Sequence, residues 1–153
     1  MKQRVVLIFV VIFLTSCVAK PHEKQDRTAM VGTWQLISGT VTENNKTTVT
    51  DYTKNISFIK ILNDTHFSFL QHDLIKGKDS AAAVFVAGGG RYSLEDSLYT
   101  EHLEYCNDRQ WEGNDFKFTI TIKNDTLIQS GIEEVKDAGI NRINIEKYTR
   151  VKN

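Results

Sequence analysis

The chain of 153 residues contains a single proline and two cysteines, and its 19 basic residues are matched by 19 acidic ones. With no excess of positive charge and no basic stripe, binding to nucleic acid through counterion release is not expected. No long amphipathic helical pattern can be traced, which sets aside helix-rich architectures. The four histidines, His22, His66, His72 and His102, fall in no metal-binding spacing such as His-X-His or His-Glu-X-X-His, so no metal site is expected. Gly88-Gly89-Gly90 lacks the lysine and the following helix of a phosphate loop. No Ser/His/Asp constellation and no paired carboxylates stand out. Cys106 has no supporting His or Asn arrangement near it and reads as a half-buried strand cysteine. These absences together point away from an enzyme and from any cofactor.

The chain is equally short of membrane-spanning length. Its unbroken apolar run, Val5 to Leu14, is about half of the ~20 residues that cross a bilayer as a helix. Lys2 and Arg4 precede it, and Leu14-Thr15-Ser16-Cys17 closes it with small residues before a cysteine. That order is a secretory signal, residues 1–16. Its end resembles the lipobox of bacterial lipoproteins, in which cleavage leaves a cysteine that carries diacylglycerol. The resemblance implies lipidation of Cys17, attachment to the membrane through acyl chains, and residence in the cell envelope. Val18 after the cysteine, in place of an aspartate, favours the outer membrane of a Gram-negative bacterium. With Cys17 committed to lipid, Cys106 has no partner for a disulfide. Without Lys2 and Arg4 the mature chain is slightly acidic. Residues 17–29, polar and charged and holding the lone Pro21, read as a flexible tether.

Residues 30–153 make one domain, long enough to bury a core without staples. They are rich in Thr, Ile, Val, Phe and Tyr at period two. Strands are expected at Thr33–Val41, around Ile56–Ile61, around Phe67–Phe69, at Ala83–Leu94, Ser97–Cys106, Phe116–Lys123, Thr126–Ser130 and Ile143–Val151. Asn44-Asn45-Lys46, Asn63-Asp64, Glu95-Asp96 and Asn124-Asp125 supply turns, since Asn and Asp tolerate the positive φ of tight hairpins. Eight strands on short polar turns imply successive antiparallel pairing. Closure into a barrel removes the exposed edges of such a sheet. The expectation is an all-β, small antiparallel up-and-down barrel of about eight strands (8–10), a size whose interior is either filled or able to hold one small ligand. The three glycines at 88–90 read as a bend or bulge at a barrel corner.

Gly32-Thr33-Trp34 resembles the opening of the lipocalin and calycin barrels. In those, the Trp packs across the closed end and an Arg from the last strand lies over it. By that resemblance Gly32, Trp34 and Arg150 close the barrel. A second resemblance is to a bacterial lipocalin-like domain family of unknown function, common among secreted lipoproteins. It rests on Gly32-Thr33-Trp34-Gln35-Leu36, Ala87-Gly88-Gly89-Gly90-Arg91-Tyr92-Ser93-Leu94, Tyr99-Thr100-Glu101 with Glu104-Tyr105, Ser130-Gly131 and Tyr148-Thr149-Arg150. It fixes no reaction and no ligand.

The strand at Ser97–Cys106 is the place where a ligand would be read. Neither of its faces is plainly apolar, whereas Phe116, Phe118, Ile120 and Ile122 alternate cleanly with polar residues in the next strand. If Tyr99, Glu101 and Tyr105 point inward, they give two aromatic walls and one carboxylate; if the face of Thr100, His102, Glu104 and Cys106 points inward, His102 and Glu104 are the polar groups. Phe67 and Phe69 would add contact area. A buried Glu101 needs a partner, because an unpaired buried charge is costly. The function expected is non-catalytic binding of a small, partly apolar molecule. The alternatives are a filled barrel that meets protein partners through its loops and, last, a small-barrel enzyme.

Overall fold

A computed structural model describes residues 26–152. Cys17 and the signal lie outside the described residues. Among the described residues a single turn of helix, α1 (Arg27–Met30), leads into nine strands: β1 (Gly32–Glu43), β2 (Lys46–Asp51), β3 (Ile56–Leu62), β4 (His66–Asp73), β5 (Phe85–Glu95), β6 (Leu98–Cys106), β7 (Asp115–Lys123), β8 (Thr126–Val135) and β9 (Ile140–Arg150). Each pairs antiparallel with the next from β3 onward, and β1 pairs with both β3 and β9. Eight strands therefore close a barrel, and β2 is an extra strand on its rim.

The expected eight-stranded barrel is present, and the ninth strand explains itself in sequence. Asn44 and Asn45 both take positive φ, 49° and 61°, the backbone of a two-residue hairpin turn. Lys46-Thr47-Thr48-Val49-Thr50-Asp51 folds back on Ser38–Glu43. It is rich in β-branched residues but has no buried face, so it carries no hydrophobic alternation to read. β1 is shared along its length. Gly32–Gln35 pairs with β3, and Ser38–Glu43 pairs with β2 on the same edge.

The two Asn-Asp turns work differently. Asn124 takes the positive φ, 54°. Asn63 keeps an ordinary backbone, and its side-chain oxygen accepts from the amides of Thr65 (2.9 Å) and His66 (2.7 Å).

Two bulges set which residues face inward. In β1 the register with β9 shifts between Leu36 and Ser38. Trp34 and Leu36 are buried before the shift, and Gly39 is buried after it. In β6 the register with β5 shifts beside Gly89 and Gly90, leaving Glu104 as the extra residue. A Cβ on Gly90 would stand 1.9 Å from the His102 carbonyl oxygen, so this bulge needs glycine. The corner reading of the glycine run holds.

The closed end of the barrel is packed. Trp34 is fully buried and its indole nitrogen donates to the Met30 carbonyl at 2.7 Å. The Arg150 guanidinium lies 4.1 Å from the indole centroid and donates to the carbonyls of Val31 (2.8 Å) and Ala29 (2.5 Å). Arg150 thus ties α1 across the barrel floor. Above it Leu62, Phe67, Tyr99, Phe118, Ile120, Leu127 and Tyr148 form the core. The other end is not filled.

Candidate functional site: a charged cavity at the open end

The open half of the barrel holds a cavity of about 520 Å³. One wall is aromatic. Phe58 stacks on Phe69 with centroids 6.0 Å apart, and Tyr52 meets Phe58 edge-on at 5.9 Å. Two glycines make room for these rings. A Cβ on Gly39 would stand 3.1 Å from the Tyr52 ring, and one on Gly88 would stand 2.5 Å from Phe69. Trp111, on a 3-10 turn at Arg109–Trp111 between β6 and β7, covers Phe116 at the rim.

The opposite wall is charged. β9 turns Arg142, Asn144, Glu146 and Tyr148 inward and Ile143 and Ile145 outward. The same reversal occurs on β8, with Gln129 and Glu133 in and Ile128 and Ile132 out. Polar side chains line the cavity there, and isoleucines are left on the outer wall.

Lys60 of β3, 4% exposed at its side chain, is the centre of the polar network. Its Nζ lies 2.6 Å from Glu101 Oε1, 2.9 Å from Gln129 Oε1 and 3.8 Å from Glu146 Oε2. The rings of Tyr148, Tyr99 and Phe67 stand 5.4 to 6.0 Å from the same ammonium. Burial opposes the charge on Lys60, but the Glu101 and Glu146 carboxylates outweigh it and hold its pKa above the ordinary lysine value. Glu146 Oε2 also accepts from the Tyr148 hydroxyl at 2.6 Å. Burial, reinforced by Glu146, keeps that phenol well above its usual range. Nearer the rim, Glu133 accepts from Arg142 Nε (2.6 Å) and Asn144 Nδ2 (2.7 Å). Burial nonetheless raises the Glu133 carboxyl above its usual value, against the pull of Arg142. Arg142 in turn lies 5.1 Å from the Trp111 ring centroid.

The residues expected from sequence to meet a ligand separate here. Phe69 and Glu101 line the cavity. Phe67 and Tyr99 point inward but belong to the packed core below it. Tyr99 packs on Tyr92, and its hydroxyl is buried with no hydrogen-bond partner among the described residues. Burial, then the nearby Glu101 charge, holds that phenol well above its usual pKa. The expectation that Tyr105 faces inward is overturned, because Tyr105 is 67% exposed. The bulge at Glu104 reverses the alternation of β6, so after Tyr99, Glu101 and Leu103 the next inward residue is Cys106. Gly32, Trp34 and Arg150 do meet at the closed end: a Cβ on Gly32 would stand 2.6 Å from the Arg150 guanidinium.

Lys60, Glu133, Arg142, Asn144 and Glu146 were not singled out by sequence. The strands expected at Thr126–Ser130 and Ile143–Val151 leave out the open-end stretches of β8 and β9 that carry Glu133 and Arg142, while Asn144 and Glu146 fall within the expected last strand. The available signal was the spacing of Ile128, Ile132, Ile143 and Ile145, read with the opposite face inward. Among the described residues no group of three or more His, Cys, Asp or Glu side chains is placed to hold a metal ion.

Residues 29–153 match the family described as Domain of unknown function (DUF4488). No curated protein matches the chain.

Proposed function

We propose, for a chain that belongs to the DUF4488 family, a lipid-anchored envelope protein whose lipocalin-like barrel binds a small, partly apolar molecule without transforming it. The cavity of about 520 Å³ carries this reading. Its size lies within the roughly 300–1,000 Å³ of small-molecule sites, and it pairs apolar walls with a few fixed polar groups, as such sites do. The lipocalin-like assignment is supported by Trp34 and Arg150 crossing at the closed end, which leaves the opposite end free for a ligand. Non-catalytic binding is supported by the state of the polar groups. Lys60 is held as a protonated ammonium between carboxylates, not as a free amine. Glu133 is held by Arg142 and Asn144.

Titration of the full chain with the neutral fluorophore N-phenyl-1-naphthylamine tests the binding reading. Saturable binding that is lost in Val41→Trp, a substitution that fills the cavity, is the expected result. Absence of saturable binding, or binding unaffected by Val41→Trp, would sink it. The anchor is tested separately by Cys17→Ser, which should abolish acylation and normal signal processing. A processed and acylated Cys17→Ser protein would overturn the lipobox reading.

One observation favours a second reading, docking of a protein partner. Ile128, Ile132, Ile143, Ile145 and Val49 are 39 to 68% exposed. They share the outer wall of β8, β9, β1 and β2 instead of the loops.

A further inference from the structure

We infer that the cavity is built for an organic cation: a small amine on an apolar body, with its ammonium against Glu146. This rests on the binding reading above and deepens it by assigning the charge of the ligand.

The argument begins with an inventory of charge. Lys60 and Arg142 are the cationic side chains on the cavity wall; Glu101, Glu133 and Glu146 reach in from β6, β8 and β9, and the exposed Asp108 adds a fourth carboxylate at the rim. Each cation is paired with a carboxylate. Lys60 is held by Glu101 at 2.6 Å and faces Glu146 at 3.8 Å. Arg142 is held by Glu133 at 2.6 Å and lies over Trp111. An anionic ligand would find each cation already paired with a carboxylate and would meet the surplus of negative charge. A cationic ligand would reduce that surplus. Burial first, and then the nearby Glu146 charge, raise the Glu133 carboxyl.

The surplus is centred on Glu146. Both oxygens of Glu133 accept hydrogen bonds. Glu101 takes the close contact with Lys60. Glu146 Oε2 serves Tyr148 and the more distant Lys60, and its Oε1 accepts no hydrogen bond among the described residues. The Glu146 side chain is 15% exposed, against 4% for Lys60 and 8% for Glu101. It also sits nearer the mouth: Glu146 is in register with Gly39, whereas Lys60 is in register with Trp34. A ligand entering from the open end reaches Glu146 before it reaches the buried pair.

The walls suit the same charge. Aromatic faces attract cations, and Tyr52, Phe58 and Phe69 line the cavity wall that faces the charged one. The chain already uses that chemistry one layer below, where the Lys60 ammonium is held by a carboxylate and three rings. The ligand's ammonium would occupy the next position toward the mouth.

Three probes with one body and three charges decide the matter: 2-phenylethylammonium, 2-phenylethanol and 3-phenylpropionate, titrated calorimetrically into the full chain at neutral pH. A charge-assisted hydrogen bond should make the ammonium bind about tenfold more tightly than the alcohol. The propionate should bind more weakly than the alcohol. Glu146→Gln should weaken the ammonium far more than the alcohol and so remove the gap between them. If that variant does not fold, the ranking in the unaltered protein decides alone. Equal affinities for ammonium and alcohol, tightest binding of the propionate, or no binding of the ammonium would each overturn the cation assignment. Those outcomes leave the binding reading standing wherever N-phenyl-1-naphthylamine still saturates. Loss of both signals would remove the two together.

Discussion

The Arg150 guanidinium lies over the Trp34 indole at 4.1 Å and reaches past it to the carbonyls of Ala29 and Val31. One side chain thereby joins the last strand to the first and pins α1 beneath both. Stacking of this kind contributes about 0.5–2 kcal/mol. The two hydrogen bonds add to it from a group whose charge strengthens them.

Trp34→Ala should therefore cost about 3–5 kcal/mol, as a large core truncation. Arg150→Ala should cost less. The double variant should be less destabilised than the sum of the two, because each single change already removes the stacking. Chemical denaturation of the four proteins measures this. Strict additivity would show that the observed contact contributes nothing.

The buried pair Lys60–Glu101 gives a second prediction. A buried Glu101 needs a partner, and the structure supplies Lys60 at 2.6 Å. Glu101→Leu strands the Lys60 charge and should cost about 3–5 kcal/mol. Lys60→Met with Glu101→Leu should recover most of that loss, since replacing a whole buried pair by apolar side chains is often neutral. A double variant no more stable than Glu101→Leu would show that Glu146 and Gln129, not Glu101, hold Lys60 in place.

The barrel was legible because its strands obey period two and its turns announce themselves with Asn and Asp. Phe116 to Ile122 reads without ambiguity because one face is wholly apolar. The cavity was legible only in part, for two physical reasons. A bulge shifts parity by one, so Tyr105 could be placed inside only by assuming that β6 is regular. In the open-end halves of β8 and β9 the polar face is the buried one, which defeats any rule that puts isoleucine inside. Glu101 was readable because a carboxylate on a mixed strand asks for a partner. Lys60 was not, since Ile56, Phe58 and Leu62 on one face of β3 and Ile59 and Ile61 on the other leave the inward face undecided until the register is known.

Gly90 should tolerate no side chain. Its added Cβ would meet backbone, the His102 carbonyl at 1.9 Å and the Glu104 amide at 2.8 Å, and backbone in a closed barrel cannot move aside cheaply. Gly90→Ala should destabilise by about 1–3 kcal/mol or more as an overpacking change. Tyr105→Ser is the control on the same bulge. Its side chain is 67% exposed, and the change should stay within about 0.5 kcal/mol. Thermal unfolding of the two variants separates them, and a tolerant Gly90→Ala would mean that the β6 bulge is elsewhere.

Asp73 anchors the long loop between β4 and β5, beside the cavity mouth. Its Oδ1 accepts from the amides of Gly77 (2.8 Å) and Ile75 (3.1 Å), and its Oδ2 from Val84 (3.3 Å). The Gly77 bond, then the bonds from Val84 and Ile75, lower its pKa against the effect of burial. Because the folded value lies below the ordinary one, an unfolded loop takes up a proton first as pH falls. The anchoring is therefore complete above the ordinary aspartate range and is lost as pH drops through the lowered value. The protection of the Gly77 and Val84 amides, relative to their intrinsic exchange at each pH, should fall across that range while the amides of β7 stay protected. Asp73→Asn should loosen the loop already at neutral pH, because an amide turned to keep Oδ1 presents an N–H to the Val84 N–H. Equal protection of Gly77 and Val84 in both proteins and at both ends of the pH range would show that the loop is held by something other than this carboxylate.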